Sequence, residues 1–402
     1  MNRNNRIIRT LIAAKRAFFT NTMPPAPKQQ NAAPKKASAS KPANSALAPV
    51  VPDPIILTDK PVTINDLKHS YCIGCTACYN ACPVNAISLS RDEQGFVTPV
   101  IDNGKCIKCK KCVSACPVMS TKYTNTSNPK CYATMADDEI RMNSSSGGMF
   151  TLIAEHIIDN GGYVAGATLG EDFTVQHIIV DNKDDLGKLR GSKYVQSYLG
   201  DTFRKVKELL DENKLVLFTG CPCQVAGLYG MLGKKHYDNL ITVDLVCHGA
   251  PSQKSFSRYI EEKYGTENLA DFKFRTKKFG YSSFNQIAFL KDGTEVPSNF
   301  KFDEYEKAMH SGVALKDICG DCMFASAPRQ GDISIGDCWG VSQFNVNYND
   351  HKGTSAILIN NNKGEKVFGQ IKDRMKLCEP IPYDFLRHHN RFGRKMNIPS
   401  GR

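Results

Sequence analysis

The sequence predicts a small α+β unit followed by a larger α/β domain with a mostly parallel sheet and added hairpins. Three observations carry that reading. A run of four closely spaced cysteines ending in proline occurs twice between Cys72 and Pro117. Beyond residue 130, helical and strand-like apolar patterns alternate almost to the end of the chain. Ahead of both, residues 1–52 hold nine Lys and Arg and no acidic residue.

That leader explains the charge. The chain of 402 residues carries a formal +12, and setting the nine leader cations aside leaves +3 for everything else. A near-neutral body without an aromatic-interleaved basic patch gives no case for nucleic-acid binding. Ile7, Ile8, Leu11, Ile12, Phe18 and Phe19 recur at helical spacing, with Arg6, Arg9 and Arg16 on another face. An acid-free, arginine-rich amphipathic start reads as a transit peptide. The expected destination is a mitochondrion or a mitochondrion-related organelle of hydrogenosome type, with plastid or cytoplasm as alternatives. Residues 21–52 are low-complexity linker. No apolar run reaches the length of a membrane span.

The first folded element is expected over 53–120. Cys72-Ile-Gly-Cys75-Thr-Ala-Cys78-Tyr-Asn-Ala-Cys82-Pro83 and Cys106-Ile-Lys-Cys109-Lys-Lys-Cys112-Val-Ser-Ala-Cys116-Pro117 both read C-x2-C-x2-C-x3-C-P. This is the spacing of a ferredoxin-like domain with two 4Fe–4S clusters, in which the fourth cysteine of each run reaches the other cluster. Cys72, Cys75, Cys78 and Cys116 are assigned to one cube, and Cys106, Cys109, Cys112 and Cys82 to its partner. Zinc sites close at four ligands from two separated pairs, whereas each run packs four cysteines into eleven positions. Disulfides would need an oxidising compartment and suit small stapled folds.

A polar connector, 121–130, leads into the second domain, 131–390, which a tail of 391–402 follows. Helices are expected near 147–159 and 201–212, and strands at 162–169 and 175–181. Lys214–Gly220 and Ile241–Cys247 are buried strands by length and composition, each running into a helical segment. Residues 272–296 read as hairpins with Asp292-Gly293 as a tight turn. Parallel sheets hold ligands where strand ends meet helix starts. Cys221-Pro-Cys223-Gln224 and Cys247-His248-Gly249 fall at such points, and Cys319-Gly-Asp-Cys322 supplies a further pair. A third 4Fe–4S cluster is read from Cys223, Cys247, Cys319 and Cys322, with Cys221 and Cys338 in reserve. The competing reading leaves them as small buried hydrophobes or a zinc pair. Cys131 and Cys378 are taken as structural. His248 is either a proton relay or, in the simpler view, a hydrogen-bonded structural histidine.

Two further segments suit a phosphate. Ser144-Ser145-Ser146-Gly147-Gly148 precedes a helix, so small residues let backbone amides face an anion. Arg190-Gly191-Ser192-Lys193-Tyr194 brings two cations and several donors into one loop. No G-x-G-x-x-G follows a strand and opens a helix, which argues against a Rossmann nicotinamide domain.

Taken in order, Ser146-Gly-Gly148, Gly191-Ser-Lys-Tyr194, Gly220-Cys-Pro-Cys-Gln224, Cys247-His-Gly249, Cys319/Cys322 and Asp332-Ile-Ser-Ile-Gly-Asp337 resemble the coenzyme F-420 hydrogenase/dehydrogenase β-subunit family. The likeness spans roughly 131–390. It implies an iron–sulfur flavoprotein with FAD beside a 4Fe–4S cluster. It implies that Cys223, Cys247, Cys319 and Cys322 ligate that cluster, and that Ser145, Ser146, Gly147, Gly148, Arg190, Gly191, Ser192, Lys193 and Tyr194 contact FAD. The expected activity is an oxidoreductase passing electrons between FAD, the clusters and a soluble ferredoxin or a small-molecule, deazaflavin-type partner. The alternative is an electron-transfer subunit of a larger redox complex without its own small substrate.

Overall fold

Two copies of one local backbone open the described chain. The computed structural model describes residues 60–120, 124–233, 235–281 and 285–390, together with 392 and 398. The basic leader and most of the tail lie outside the described residues, as does 121–123 of the connector. In each copy a cysteine loop passes through residues with positive φ, Gly74 and Thr76 in the first and Lys108 and Lys110 in the second. Each loop then enters a short helix, Ala77–Asn80 or Lys111–Ala115. Between them lies an antiparallel hairpin of β1 (Ile87–Arg91) and β2 (Val97–Ile101), with Ile87 opposite Ile101. This is the expected α+β dicluster unit.

The second domain is built on one sheet of eight strands. They are β3 (Lys130–Met135), β4 (Tyr163–Leu169), β5 (Val175–Val180), β6 (Val216–Gly220), β7 (Leu240–Leu245), β11 (Ile333–Asp337), β12 (Ser355–Ile359) and β13 (Leu377–Pro380). Their order is β13-β3-β12-β11-β7-β6-β4-β5. The reading of a mostly parallel sheet is corrected to a mixed one. β4, β6, β7 and β11 run parallel, whereas the pairings β11–β12, β12–β3 and β3–β13 on one side and β4–β5 on the other are antiparallel. The reason is visible in β12, which is buried at all five positions yet antiparallel. A continuous apolar run reports burial on both faces, not strand direction.

Alternating residues of the central strands serve opposite layers. Leu217, Ile241 and Val243 pack under the helices Met149–Asp159 and Asn362–Ile371. Val216, Phe218 and Leu240 pack under Thr202–Asp211 and Pro222–Leu232. The dicluster unit sits on this second layer, with Cys75, Ala77 and Ala115 joining the same apolar cluster as Val225 and Leu228. Two glycines permit that approach. A Cβ on Gly227 would lie 2.8 Å from the Cys75 Cβ, and one on Gly230 would lie 2.2 Å from the Ala115 carbonyl oxygen. Arg204 ties the seam by donating to the carbonyls of Asn80 (3.1 Å) and Tyr79 (2.7 Å).

The expected hairpins form a three-stranded antiparallel sheet of β8 (Leu269–Thr276), β9 (Asn285–Leu290) and β10 (Glu295–Asn299). Gly293 turns at φ 83° between them, and Leu290 N–H reaches the Thr294 carbonyl at 2.9 Å. The connector is more firmly held than a linker reading implies. Asn125 donates to the carbonyls of Arg329 (2.6 Å) and Gly331 (3.0 Å) and accepts from Asn361 (2.8 Å).

Candidate functional site

The fourth cysteine of each run lies beside leading cysteines of the other. Burial raises the Cys75 thiol, and Cys116 and Cys72 add to the rise. Cys78 is raised by burial and then by Cys75, Cys72 and Cys116. Cys116 thus stands with the first run's three leading cysteines, pushed up to about 11 chiefly by its burial. The other set, Cys82, Cys106, Cys109 and Cys112, lines a single pocket with Ile87 and Ile101 at its wall. Burial raises the Cys75, Cys78, Cys112 and Cys116 thiols, and bound iron would supply the positive charge that favours their thiolates.

A third gathering lies where β6 and β7 end. Cys221 caps the helix Pro222–Leu232, with proline in the first turn where its missing N–H costs nothing. Gln224 clamps this start, accepting from Cys221 N–H at 2.9 Å and donating to Ser197 Oγ at 2.9 Å. Cys247 follows β7, and Cys319 and Cys322 belong to and follow the turn Asp317–Asp321. Cys223 is raised by burial and by the fields of Cys322, Cys247, Cys319 and Cys75. Burial and its cysteine neighbours push Cys319 up to about 12, and burial pushes Cys322 to about 11. The structure therefore brings together all four thiols read from the sequence as a set. Cys221 joins them by a hydrogen bond to Cys247, which draws the Cys247 thiol below its ordinary value. Cys338 does not join. It is buried beside Cys131 in a separate apolar cluster.

Among the described residues, no three or more His, Cys, Asp or Glu converge as ligands of a single ion would. A 4Fe–4S cube asks for something wider, with one thiolate on each of four irons. The three thiol sets are also continuous with one another. Cys78, Cys112 and Cys116 share an apolar cluster with Ala226, Met323 and Phe324, against which Cys72, Cys82, Cys223 and Cys322 pack.

Arg329 braces the third set and has no sequence signature. Only 1% exposed, it pairs with fully buried Asp244 at 2.8 Å. The same guanidinium donates to the carbonyls of Leu245 (2.7 Å), Phe324 and Ala325 (both 3.3 Å). It therefore ties the strand end before Cys247 to the loop after Cys322. His248 is exposed, and its Nε2–H donates to the Asn390 carbonyl at 2.8 Å, the simpler of the two roles considered for it.

The two small-residue loops meet. Ser145 Oγ accepts from Ser192 N–H at 2.7 Å and lies 3.0 Å from Ser192 Oγ. Gly147 fits between strands, since its Cβ would stand 2.5 Å from the Thr134 carbonyl oxygen and 2.6 Å from Ser355 N. Gly148, at φ 89°, caps the helix Met149–Asp159. The two cations differ from the expectation of free donors. Arg190 pairs with Glu155 at 3.2 Å, leaving its buried Nε without a partner. Lys193 turns inward to the carbonyls of Lys188 (3.0 Å) and Arg190 (2.8 Å), and burial draws it down to about 7. Gly191 and Tyr194 hold the same loop, with the Tyr194 carbonyl accepting from Tyr305 at 2.7 Å.

Sequence reading missed a group contributed largely by the added sheet. Lys277 donates to the Ser146 carbonyl at 2.6 Å. Arg275 and Tyr281 both reach Asp337, at 2.7 and 2.5 Å, and Tyr281 stacks on Trp339 with centroids 5.9 Å apart. The one available signal was that Trp339, the chain's single tryptophan, follows the Asp332–Asp337 motif.

The chain matches three family models. One, the 4Fe-4S dicluster domain, covers 71–120. The other two are the N-terminal and C-terminal parts of the coenzyme F420 hydrogenase/dehydrogenase beta subunit, covering 131–202 and 213–381. Among solved structures, a chain of the xenon-derivatised F420-reducing [NiFe] hydrogenase complex from Methanosarcina barkeri is similar. The likeness has 18% identity and a TM-score of 0.48, covering 67% of this chain and 90% of that one. No curated protein matches. The dicluster domain followed in order by both family parts shows that this chain belongs to the coenzyme F420 hydrogenase/dehydrogenase beta subunit family.

Proposed function

We propose that this chain is an iron–sulfur flavoprotein oxidoreductase holding three 4Fe–4S cubes and one FAD. The observation that carries the reading is the convergence of Cys223, Cys247, Cys319 and Cys322 at the strand ends, within the field of Cys75 from the dicluster unit. In this reading, Cys72, Cys75, Cys78 and Cys116 hold one cube of the dicluster domain. Cys82, Cys106, Cys109 and Cys112 hold the other. Bound cubes supply one-electron carriers, and bound FAD supplies exchange between a hydride and single electrons.

The protein's own contribution is order and dryness. The apolar cluster around Ala226, Met323 and Phe324 packs against cysteines of all three thiol sets. Ser145, Ser146, Gly147 and Gly148 set backbone amides at a helix start, where a flavin phosphate would be stabilised. The unpartnered Arg190 Nε supports an anionic ligand beside that loop. Lys277, Arg275 and Tyr281 close the same side, so an isoalloxazine ring there would meet aromatic faces and cations. The hydride partner is a small molecule of deazaflavin type, and the single-electron partner is a ferredoxin or the next subunit of a redox complex.

The test is iron, sulfide and flavin analysis of protein purified without oxygen. About twelve irons and one FAD per chain are expected, from three cubes of four. About eight irons would remove the third cluster, and absence of flavin after reconstitution would remove FAD.

A further inference from the structure

The duplicated cysteine loops share a backbone and present opposite surfaces. Gly74 and Thr76 have φ values of 68° and 62°, and their counterparts Lys108 and Lys110 have 54° and 62°. In the first copy this outer face is pressed against the α/β domain. Gly74, Thr76 and Ala77 are buried, and a Cβ on Gly74 would lie 2.6 Å from Gln196 Nε2. In the second copy the matching positions are Lys108, Lys110 and Lys111, all exposed. Ile107 is 62% exposed where Ile73 is half-buried, and the Cys109 thiol is exposed as well.

Lys108 and Lys110 are not there for the backbone, because a left-handed conformation costs a side-chain-bearing residue roughly 1–2 kcal/mol. Among the described residues none of the three forms an ion pair, while nearby Lys105 is neutralised by Asp102 at 3.4 Å. Three unpaired cations therefore ring an apolar residue over the thiol pocket of Cys82, Cys106, Cys109 and Cys112.

We propose that this face is the docking surface for an acidic one-electron carrier protein. The proposal rests on reading that pocket as a cluster site. Lys108, Lys110 and Lys111 steer the carrier, and Ile107 and Val84 make the dry contact at its centre. On contact one electron leaves the reduced carrier and enters the cluster, so the carrier is oxidised by one electron and the cluster reduced by one, with no bond broken and no proton moved. The chain's own leader is an unsuitable occupant, since residues 1–52 are basic and acid-free.

The test is calorimetric binding of an acidic plant-type [2Fe–2S] ferredoxin to the full-length, iron-loaded chain. Wild type should bind at low ionic strength and lose affinity steeply with added salt. The triple variant K108E/K110E/K111E should bind about 10- to 100-fold more weakly, the range in which steering charges act. Should the reversal disturb iron loading, K108Q/K110Q/K111Q, which adds no repulsive charge, should show the same direction. Stopped-flow reduction by the ferredoxin should fall in parallel, while reduction by methyl viologen radical cation should not fall. Equal affinity in wild type and variant would overturn the docking face and leave the iron–sulfur reading standing. Salt-independent binding would do the same, as would binding to anionic lipid vesicles without binding to the ferredoxin. Failure of viologen to reduce an iron-replete chain would instead strike at the electron-carrying reading itself.

Discussion

Replacing Gly230 by alanine sets two physical effects against each other, and the structure decides the sign. Within a helix, alanine is favoured over glycine by about 1 kcal/mol. At this position, however, the added Cβ would stand 2.2 Å from the Ala115 carbonyl oxygen, about 1.2 Å short of the 3.4 Å of ordinary contact. The obstacle is backbone at the end of the second cysteine helix, so no rotamer relieves it. Overpacking of this kind costs about 1–3 kcal/mol. The net expectation is that Gly230→Ala loses about 1 kcal/mol and eases the dicluster unit off the helix Pro222–Leu232. Gly369 gives the control, since nothing lies within 4 Å of its Cβ position and it too sits in a helix, Asn362–Ile371. Gly369→Ala should gain several tenths of a kcal/mol, up to about 1. Urea denaturation followed by circular dichroism under anaerobic conditions reads both midpoints. A Gly230→Ala midpoint at or above wild type would refute the close seam between the two domains.

Cys322→Ser should lower iron by about four per chain while leaving the dicluster content intact, a loss read by iron analysis and by the remaining visible absorption. Unchanged iron would remove Cys322 from the ligand set. Asp244→Asn strips the charge that neutralises Arg329 inside the core, and breaking a buried pair costs about 3–5 kcal/mol. Thermal denaturation should show a large loss, and a near-neutral result would mean that Arg329 does not depend on Asp244. His177 is buried, its Nε2–H donates to Thr219 at 3.0 Å, and burial holds it down at about 4 against an ordinary 6.5. The unfolded chain therefore binds the extra proton first, so this residue's contribution is intact above pH 6.5 and is lost as pH falls toward 4. His177→Gln should flatten the slope of stability across that window, and an unchanged slope would assign the acid sensitivity elsewhere.

The dicluster unit was readable because ligand spacing is a covalent constraint. The cysteines, their crossover and the proline after each run follow from how a short loop can surround a cube. The central strands β6 and β7 were equally plain, since strands covered on both faces read as largely apolar runs. Strand direction was not readable. β12 carries the same apolar signature whichever way it runs, and only the path of the chain decides. The four thiols of the third set could be grouped because three of their segments stand at strand ends or form a C-x2-C pair. Arg329 could not, because Asp244 lies 85 residues away in sequence and its remaining partners are mostly main-chain carbonyls that no side-chain pattern announces. Lys277, Arg275 and Tyr281 escaped for a related reason. They lie on or just after β8, in the added sheet, and meet Ser146 and Asp337 only through the fold.

The borders of the large sheet limit how this protein can join others. Among the described residues, β13 is only four residues long and ends in Pro380, which has no amide hydrogen to offer. At the opposite border Tyr198 already occupies the flank of β5, its amide donating to Val175 at 2.8 Å and its carbonyl accepting from His177 at 2.9 Å. Neither margin offers a long ladder of vacant main-chain groups, the feature on which strand-by-strand annexation or fibrous stacking depends. At these two borders recruitment of another macromolecule therefore falls to side chains, where a single charge reversal can retune it without disturbing the scaffold.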